Sequence, residues 1–323
     1  MVKAVLQKRT LGGTSFQVSP IGLGVMQFSG GDGLSGMMFP NLPQEDKNAI
    51  VKAALNGGIN WFDTAEMYGR GRSEEGLASG LQAAGVQDDE VIIGTKWFPI
   101  FRRASNIPRT IEARIHFLKP YTIDLYMVHQ PWGFSSTEAE MDAMAELVGA
   151  GKIRSIGVSN FNVERMHRAH KALQKRGLSL AVNQVEYSLL QRRIESNGVL
   201  EAAKELGVTI VAWGPLAYGV LTGKYHKDPK RLDRKAFPLR MRFQGRVERA
   251  RPLVQALEEV GERYEATPAQ VALNWLINFH GETVVAIPGA TKVHQIEQNA
   301  GAMKFKLSEV EMARLDELSR EFR

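Results

Sequence analysis

Eight short apolar runs alternate with amphipathic helical stretches along the whole chain, and this predicts an α/β fold, a (β/α)8 barrel formed as one domain over residues 1–323. Three observations carry the prediction. The runs are continuously apolar, as parallel strands buried on both faces are. The segments between them have helical spacing and the length a parallel crossover needs. Eight is also the strand number that closes a barrel, and no Pro-, Ser- or Gly-rich linker breaks the alternation. An open doubly wound sheet is the alternative for the same pattern.

The first segment, VLQKRTLGGTSFQVSP, places Gly12-Gly13 between two short alternating runs, which predicts a β-hairpin closing the bottom of the barrel. Strands are predicted at residues 21–28, 60–65, 91–97, 123–129, 153–159, 181–187, 209–215 and 283–289. Helices are predicted in EDKNAIVKAALNGG, SEEGLASGLQAAG, IPRTIEARIHFLK, TEAEMDAMAELVGAGK, NVERMHRAHKALQKRG, NGVLEAAKELG and TPAQVALNWLINFHG. Several end in Gly, which stops a helix in the left-handed conformation.

Composition narrows the function. The net charge of +6 is spread along the chain, densest at residues 226–246, with no basic module and stacking aromatics of the kind nucleic acid requires. Without cysteine, disulfides, thiolate metal sites and cysteine nucleophiles are excluded. No His/Asp/Glu set has metal-ligand spacing. The N-terminal MVKAVLQKRT lacks the apolar core of a signal peptide, and no run reaches the roughly 18 apolar residues of a membrane span. A soluble cytoplasmic protein with no membrane or nucleic-acid partner is the expectation.

Gly31-Asp32-Gly33-Leu34-Ser35-Gly36 reads G-x-G-x-x-G after an apolar run, the pattern of a dinucleotide phosphate cradle. That cradle needs a helix to begin at its third glycine. Here Pro40 and Pro43 forbid a helix interior, and no acidic residue follows at the ribose distance. The segment is read as a glycine-rich surface loop.

In a (β/α)8 barrel the functional side chains sit at the C-terminal ends of the strands. Asp63 ends the second predicted strand, Lys96 the third and His129 the fourth, with Tyr68 in the turn after Asp63. Singly, each has an ordinary reading as a cap, packing or a core polar group. Jointly they describe a proton-transfer site. A phenol with a reference pKa near 10 is a poor acid, but an ammonium at roughly 4 Å and an effective dielectric near 20 contributes up to about 4 kcal/mol toward the phenolate. Tyr68 would be the general acid, Lys96 its activator, Asp63 the group that keeps Lys96 charged, and His129 a partner of the substrate oxygen. Such a site lacks only a hydride, which requires a cofactor.

GINWFDTAEMYG, IIGTKW, IDLYMVHQP, RSIGVSNF and WGPLAYGVLTGKY resemble, in order and spacing, the aldo-keto reductase superfamily, from about residue 8 onward. The resemblance implies a (β/α)8 barrel, reduction of aldehydes or ketones with NAD(P)H, and a catalytic tetrad at Asp63, Tyr68, Lys96 and His129. It places the nicotinamide carboxamide on Ser159, Asn160 and Gln184, the ring on Trp213, and the pyrophosphate along Gly214, Pro215, Leu216, Gly219, Leu221 and Lys224. The adenosine part falls on Gly289, Thr291, Lys292, Gln295, Gln298 and Asn299, in the manner of a longer-loop subgroup that includes the potassium-channel β subunits. Gly289, Ala290 and Gln295 replace the Lys-Ser pair and Arg that many members use for a 2′-phosphate. The resemblance, together with a basic loop that could help hold the extra phosphate, implies NADPH over NADH; Lys292 is either a partner of that phosphate or a solvated lysine at a helix start.

Trp97, Trp132 and Phe134 follow the third and fourth strands and are expected to wall an apolar substrate pocket for a small carbonyl compound, with loop 28–43 reaching over the mouth. The alternatives are an NAD-dependent sugar or alcohol dehydrogenase and a cofactor-sensing regulatory subunit. Against the latter, His129 is kept where such subunits tend to lack it.

Overall fold

The computed structural model describes residues 7–30, 41–232 and 237–323. The Gly31–Gly36 motif, Pro40 and most of loop 28–43 lie outside them. Among the described residues, eight parallel strands follow one another in sequence order: β3 Leu23–Gly24, β4 Trp61–Asp63, β5 Ile92–Trp97, β6 Leu125–Val128, β7 Ser155–Ser159, β8 Leu180–Glu186, β9 Thr209–Trp213 and β10 Val284–Ala286. First and last meet. Ile21 bridges Ala286 and Gly24 bridges Gly289, both in parallel, and the Gly22 amide donates to the Ala286 carbonyl at 2.8 Å. The sheet therefore closes into a (β/α)8 barrel; a doubly wound sheet would reverse its strand order and keep two edges.

The hairpin is β1 Arg9–Thr10 with β2 Gln17–Val18, antiparallel, and it seats on the N-terminal ends of the strands. The Gly12 amide donates to Thr209 Oγ1 at 2.7 Å, and Arg9 Nη1 donates to the Val284 carbonyl at 2.5 Å. Gly12 has φ +51° and passes so close to the Ala181 carbonyl that a Cβ would collide with it. Leu11 and Val18 enter the barrel, joining Trp61, Leu125, Met127, Val182, Val211 and Val285 in an interior core. The neighbours Tyr126 and Val128 belong to the larger core between strands and helices, as the two-residue strand period requires.

The crossover helices are α1 Gln44–Asn56, α2 Arg72–Ala83, α3 Ile107–Leu118, α4 Thr137–Gly149, α5 Val163–Gln174 and α6 Val199–Leu206. Local chemistry sets their ends. Ser136 and Asn162 side chains accept from the third-residue amides of α4 and α5, and Gly207 at φ +65° stops α6. Between β9 and β10 the chain makes α7 Lys224–Lys227, α8 Phe237–Arg249, α9 Arg251–Arg263 and α10 Pro268–Asn278, the last opened by a Thr267/Gln270 capping box. After β10 come α11 Val293–Gly301 and α12 Glu309–Ser319. The predicted strand at 21–28 is shorter than its apolar run: Phe28 and Ser29 turn back on Val25 and Met26, so only Leu23–Gly24 is regular strand. No described helix is long and apolar enough to cross a membrane.

Candidate active site

Strand register brings the site together. On β5, Lys96 pairs with Met127 of the barrel interior, so its side chain enters the barrel with no exposure to solvent. Its ammonium donates to Asp63 Oδ2 at 2.6 Å and to the Thr64 carbonyl at 2.7 Å. Tyr68 lies in the turn beyond β4, its amide donating to the Ala65 carbonyl at 3.0 Å. The Tyr68 ring centroid is 5.2 Å from Lys96 Nζ, and the ring meets His129 edge-on at 5.6 Å and 82°. The His129 backbone is fixed by the Trp97 carbonyl at 2.9 Å, and its buried Nδ1 has no partner. The four residues singled out from the sequence thus lie against one another at the strand ends.

Burial raises the Asp63 carboxyl and lowers the Lys96 ammonium from their ordinary values, and their 2.6 Å contact opposes both shifts. His129 is pushed well below its usual range by burial and by the Lys96 charge, so the imidazole is neutral at neutral pH. For Tyr68 the structure corrects the expectation. Its phenol is raised, first by burial and then by the Asp63 charge. The ammonium that was to lower it is matched by a carboxylate at hydrogen-bond distance, so the phenol faces an ion pair and not a bare cation. In the resting site Tyr68 keeps its proton.

The same ion pair opens onto a second polar network. Gln184 Nε2 donates to Asp63 Oδ1 at 2.8 Å, and the Ser159 hydroxyl donates to the Gln184 carbonyl at 2.9 Å. Asn160, held at φ +59°, donates to Ser159 Oγ at 3.1 Å and accepts from Trp213 Nε1 at 3.2 Å.

A model of the aldo/keto reductase family matches residues 20–320. The chain belongs to that family. A probable aldo-keto reductase of Glycine max is 32% identical over 98% of this chain and 90% of its own length. Among solved structures, a thermostable aldo-keto reductase in complex with the inhibitor epalrestat is 30% identical with a TM-score of 0.77, covering 96% of this chain and 99% of its own. An aldo-keto reductase from Klebsiella pneumoniae in complex with NADPH is 27% identical with a TM-score of 0.73, over 99% and 96% of the two chains.

The candidate cofactor residues lie at and beyond the C-terminal ends of β7, β8, β9 and β10. Ser159, Asn160, Gln184 and Trp213 are one hydrogen-bonded set beside Asp63. Gly214 at φ +64° and Gly219 at φ +87° carry the chain in left-handed turns past Pro215 and Leu216, and the lack of a Cβ at Gly219 leaves room for the Lys224 ammonium. Leu221 is fully buried in the outer core, so only its backbone is available to a ligand. Thr291 donates through its amide to Gln295 Oε1 at 2.8 Å, while Lys292 and Gln298 are exposed. Asn299 is buried with its Nδ2 unpartnered. Gln27, which sequence reasoning absorbed into a strand, has a buried unpartnered Oε1 and occupies the space a Gly289 Cβ would take. Buried polar atoms normally have partners. Unpartnered Gln27 Oε1 against Gly289, and unpartnered Asn299 Nδ2 on the helix that follows, fit a polar ligand such as a dinucleotide.

Trp97 is a correction. Lys96 points into the barrel, so its neighbour on the strand must point out, and Trp97 is fully buried in the core beneath the helices. It cannot wall an open pocket. Trp132 and Phe134 are exposed at the rim, and the Phe134 amide donates to the Arg102 carbonyl at 2.9 Å, tying the loops after β6 and β5. Phe98, which sequence reasoning missed, meets His129 at 6.0 Å and 76°.

Also missed was a set of charges behind Tyr68. Glu66 accepts from the Phe98 amide at 3.1 Å and Arg102 at 2.6 Å, with Arg114 at 3.4 Å. Arg114 also pairs with Glu74 at 2.9 Å, and Glu74 accepts from Thr95 at 2.7 Å. Burial pushes the Glu74 carboxyl up to about 7. A signal for this existed: Arg114 stands between Ile111 and Leu118 on the apolar stripe of α3, where a charge needs a buried partner.

Proposed function

We propose that this protein is an NADPH-dependent carbonyl reductase that converts aldehydes or ketones to alcohols, with Tyr68 as the proton donor. One observation carries the reading: the Tyr68 ring lies 5.2 Å from a buried ammonium and 5.6 Å from the His129 ring, and that ammonium begins a hydrogen-bonded chain through Asp63 and Gln184 to the candidate nicotinamide seat. When bound, a reduced nicotinamide supplies the hydride. Ser159, Asn160 and Gln184 orient the carboxamide and Trp213 backs the ring. The glycine-rich turn 214–224 and the segment Gly289–Asn299 take the phosphates and adenosine. Exposed Lys292 offers a positive charge to a 2′-phosphate, and the NADPH complex of the Klebsiella pneumoniae relative agrees with that preference.

The residues of the tetrad then divide the proton chemistry. His129 and Tyr68 hydrogen-bond the substrate oxygen and hold the carbonyl in place. Negative charge developing on that oxygen draws the phenolic proton across. Lys96, 5.2 Å from the ring centroid, stabilises the tyrosinate left behind by about 3 kcal/mol at an effective dielectric near 20, before the opposing Asp63 charge is counted. Asp63 holds Lys96 charged and aimed, and burial of the group excludes competing water.

The test follows NADPH consumption by nicotinamide absorbance with a panel of aldehydes and ketones, in the native protein and in Tyr68→Phe. The variant should lose about 10²- to 10⁴-fold in kcat, the usual share of a general acid, while binding NADPH as tightly as before. Native-rate turnover by Tyr68→Phe would remove the proton-donor assignment. Tighter binding of NADH than NADPH would remove the cofactor preference.

A further inference from the structure

The turn that carries Tyr68 continues through Gly69, Arg70 and Gly71 at φ +71°, +55° and +102°. Three successive left-handed residues lift Arg70 out of the loop, an arrangement that glycine accepts readily and arginine does not. Arg70 is exposed and, among the described residues, has neither a hydrogen bond nor an ion pair. It lines a cavity of about 190 Å³ together with Met67, Phe98, Glu66, Arg102 and Arg114. One wall reaches the active site: the Phe98 ring meets His129 edge-on at 6.0 Å.

The charges around this cavity do not cancel. Arg102 is matched by Glu66 at 2.6 Å, and Arg114 is matched by Glu74 at 2.9 Å. Counting both carboxylates as ionised leaves Arg70 as the surplus cation. At about 190 Å³ the cavity is smaller than the roughly 300 Å³ or more of a complete ligand pocket, so it suits one end of a molecule whose other end lies elsewhere. Guanidinium presents a planar fork that fits a carboxylate with two parallel hydrogen bonds.

We propose that Arg70 forms a carboxylate subsite, and that the preferred substrates are carbonyl compounds with a carboxylate at their far end. This rests on the reductase reading and extends it to a substrate class. Arg70 is a specificity-determining residue, with no part in the proton transfer. Phe98 and Met67 would cover the carbon chain between the two ends.

The experiment compares kcat/KM within matched pairs under NADPH: 4-carboxybenzaldehyde against 4-nitrobenzaldehyde, and succinic semialdehyde against butanal. The native reductase should favour the charged member of at least one pair by about tenfold, mainly through KM, as a charge-assisted hydrogen bond supplies. The preference should shrink as salt rises, because Arg70 is exposed. Arg70→Gln should abolish it and Arg70→Lys should keep part of it. Each ratio is internal to one protein, so a general loss of folding or turnover in a variant cancels. A native ratio near one in both pairs, or a preference that survives Arg70→Gln, overturns the subsite. No reduction of any neutral aldehyde overturns the reductase reading and this inference with it; neutral reduction without a charge preference overturns this inference alone.

Discussion

Removing the Lys96 charge leaves Asp63 buried, 2% exposed, with Gln184 as its remaining side-chain donor. Breaking one side of a buried pair typically costs about 3–5 kcal/mol, because the remaining charge has lost its compensation. Unfolding entropy near 2.1 cal/mol/K per residue gives about 0.7 kcal/mol/K for a chain of this length, so Lys96→Met should lower Tm by about 4–7 °C. Asp63→Asn should cost a similar amount by stranding the ammonium. The double variant Asp63→Asn/Lys96→Met carries no buried charge at this point, and it should recover much of the loss. A coupling energy of about 2 kcal/mol or more in the thermodynamic cycle is the expected result. Lys96→Met and the double variant should both be poor reductases, since the phenolate then lacks a counter-charge. Thermal unfolding followed by circular dichroism reads the first quantity, and steady-state NADPH oxidation reads the second. Additive destabilisation would refute the argument that the 2.6 Å contact is a mutually compensating ion pair. Recovery of activity along with stability would refute its role in proton transfer.

Other expectations follow from the same geometry. Glu74, raised to about 7, binds its proton more tightly in the folded state than in the unfolded chain. Its stabilising contribution is therefore complete below about pH 4.5 and lost as pH rises through about 7; Glu74→Gln should flatten the unfolding midpoint across that window, and an unchanged slope would contradict it. Gly12→Ala forces a side chain into a left-handed residue against the Ala181 carbonyl, and should cost about 1–2 kcal/mol or more in chemical denaturation. Trp97→Leu should lower stability by about 2–4 kcal/mol through a cavity while leaving KM alone, whereas Trp132→Ala should shift KM and keep stability within about 0.5 kcal/mol.

Sequence pattern disclosed the barrel because strand ends, crossover lengths and caps are local properties. Asp63, Lys96 and His129 could be placed on one rim from strand position alone. What the pattern could not show was distance. The Asp63–Lys96 pairing was legible, but its effect on the phenol was not: a carboxylate 2.6 Å from the ammonium offsets the charge that was to lower Tyr68, which spacing does not encode. Trp97 was misread for the opposite reason: being next to a site residue on a strand places it on the other face. Gln27 was hidden because its apolar neighbours Val25 and Phe28 made the run look like uninterrupted strand. The Glu66–Arg114–Glu74 set joins residues up to 48 positions apart, and only the packing of α2 against α3 brings them together.

The bridges Ile21–Ala286 and Gly24–Gly289 have a consequence for how the protein comes into being. They join segments separated by more than 260 positions, and one of them sits beside Gln27 at the edge proposed for adenosine. A growing polypeptide on the ribosome can pair its strands in succession, but it cannot complete the ring until the eighth strand has emerged. Closing so long a loop is entropically slow, and the unsealed edges are open to association until then. Completion of the ring, and with it the proposed dinucleotide edge, therefore waits for β10.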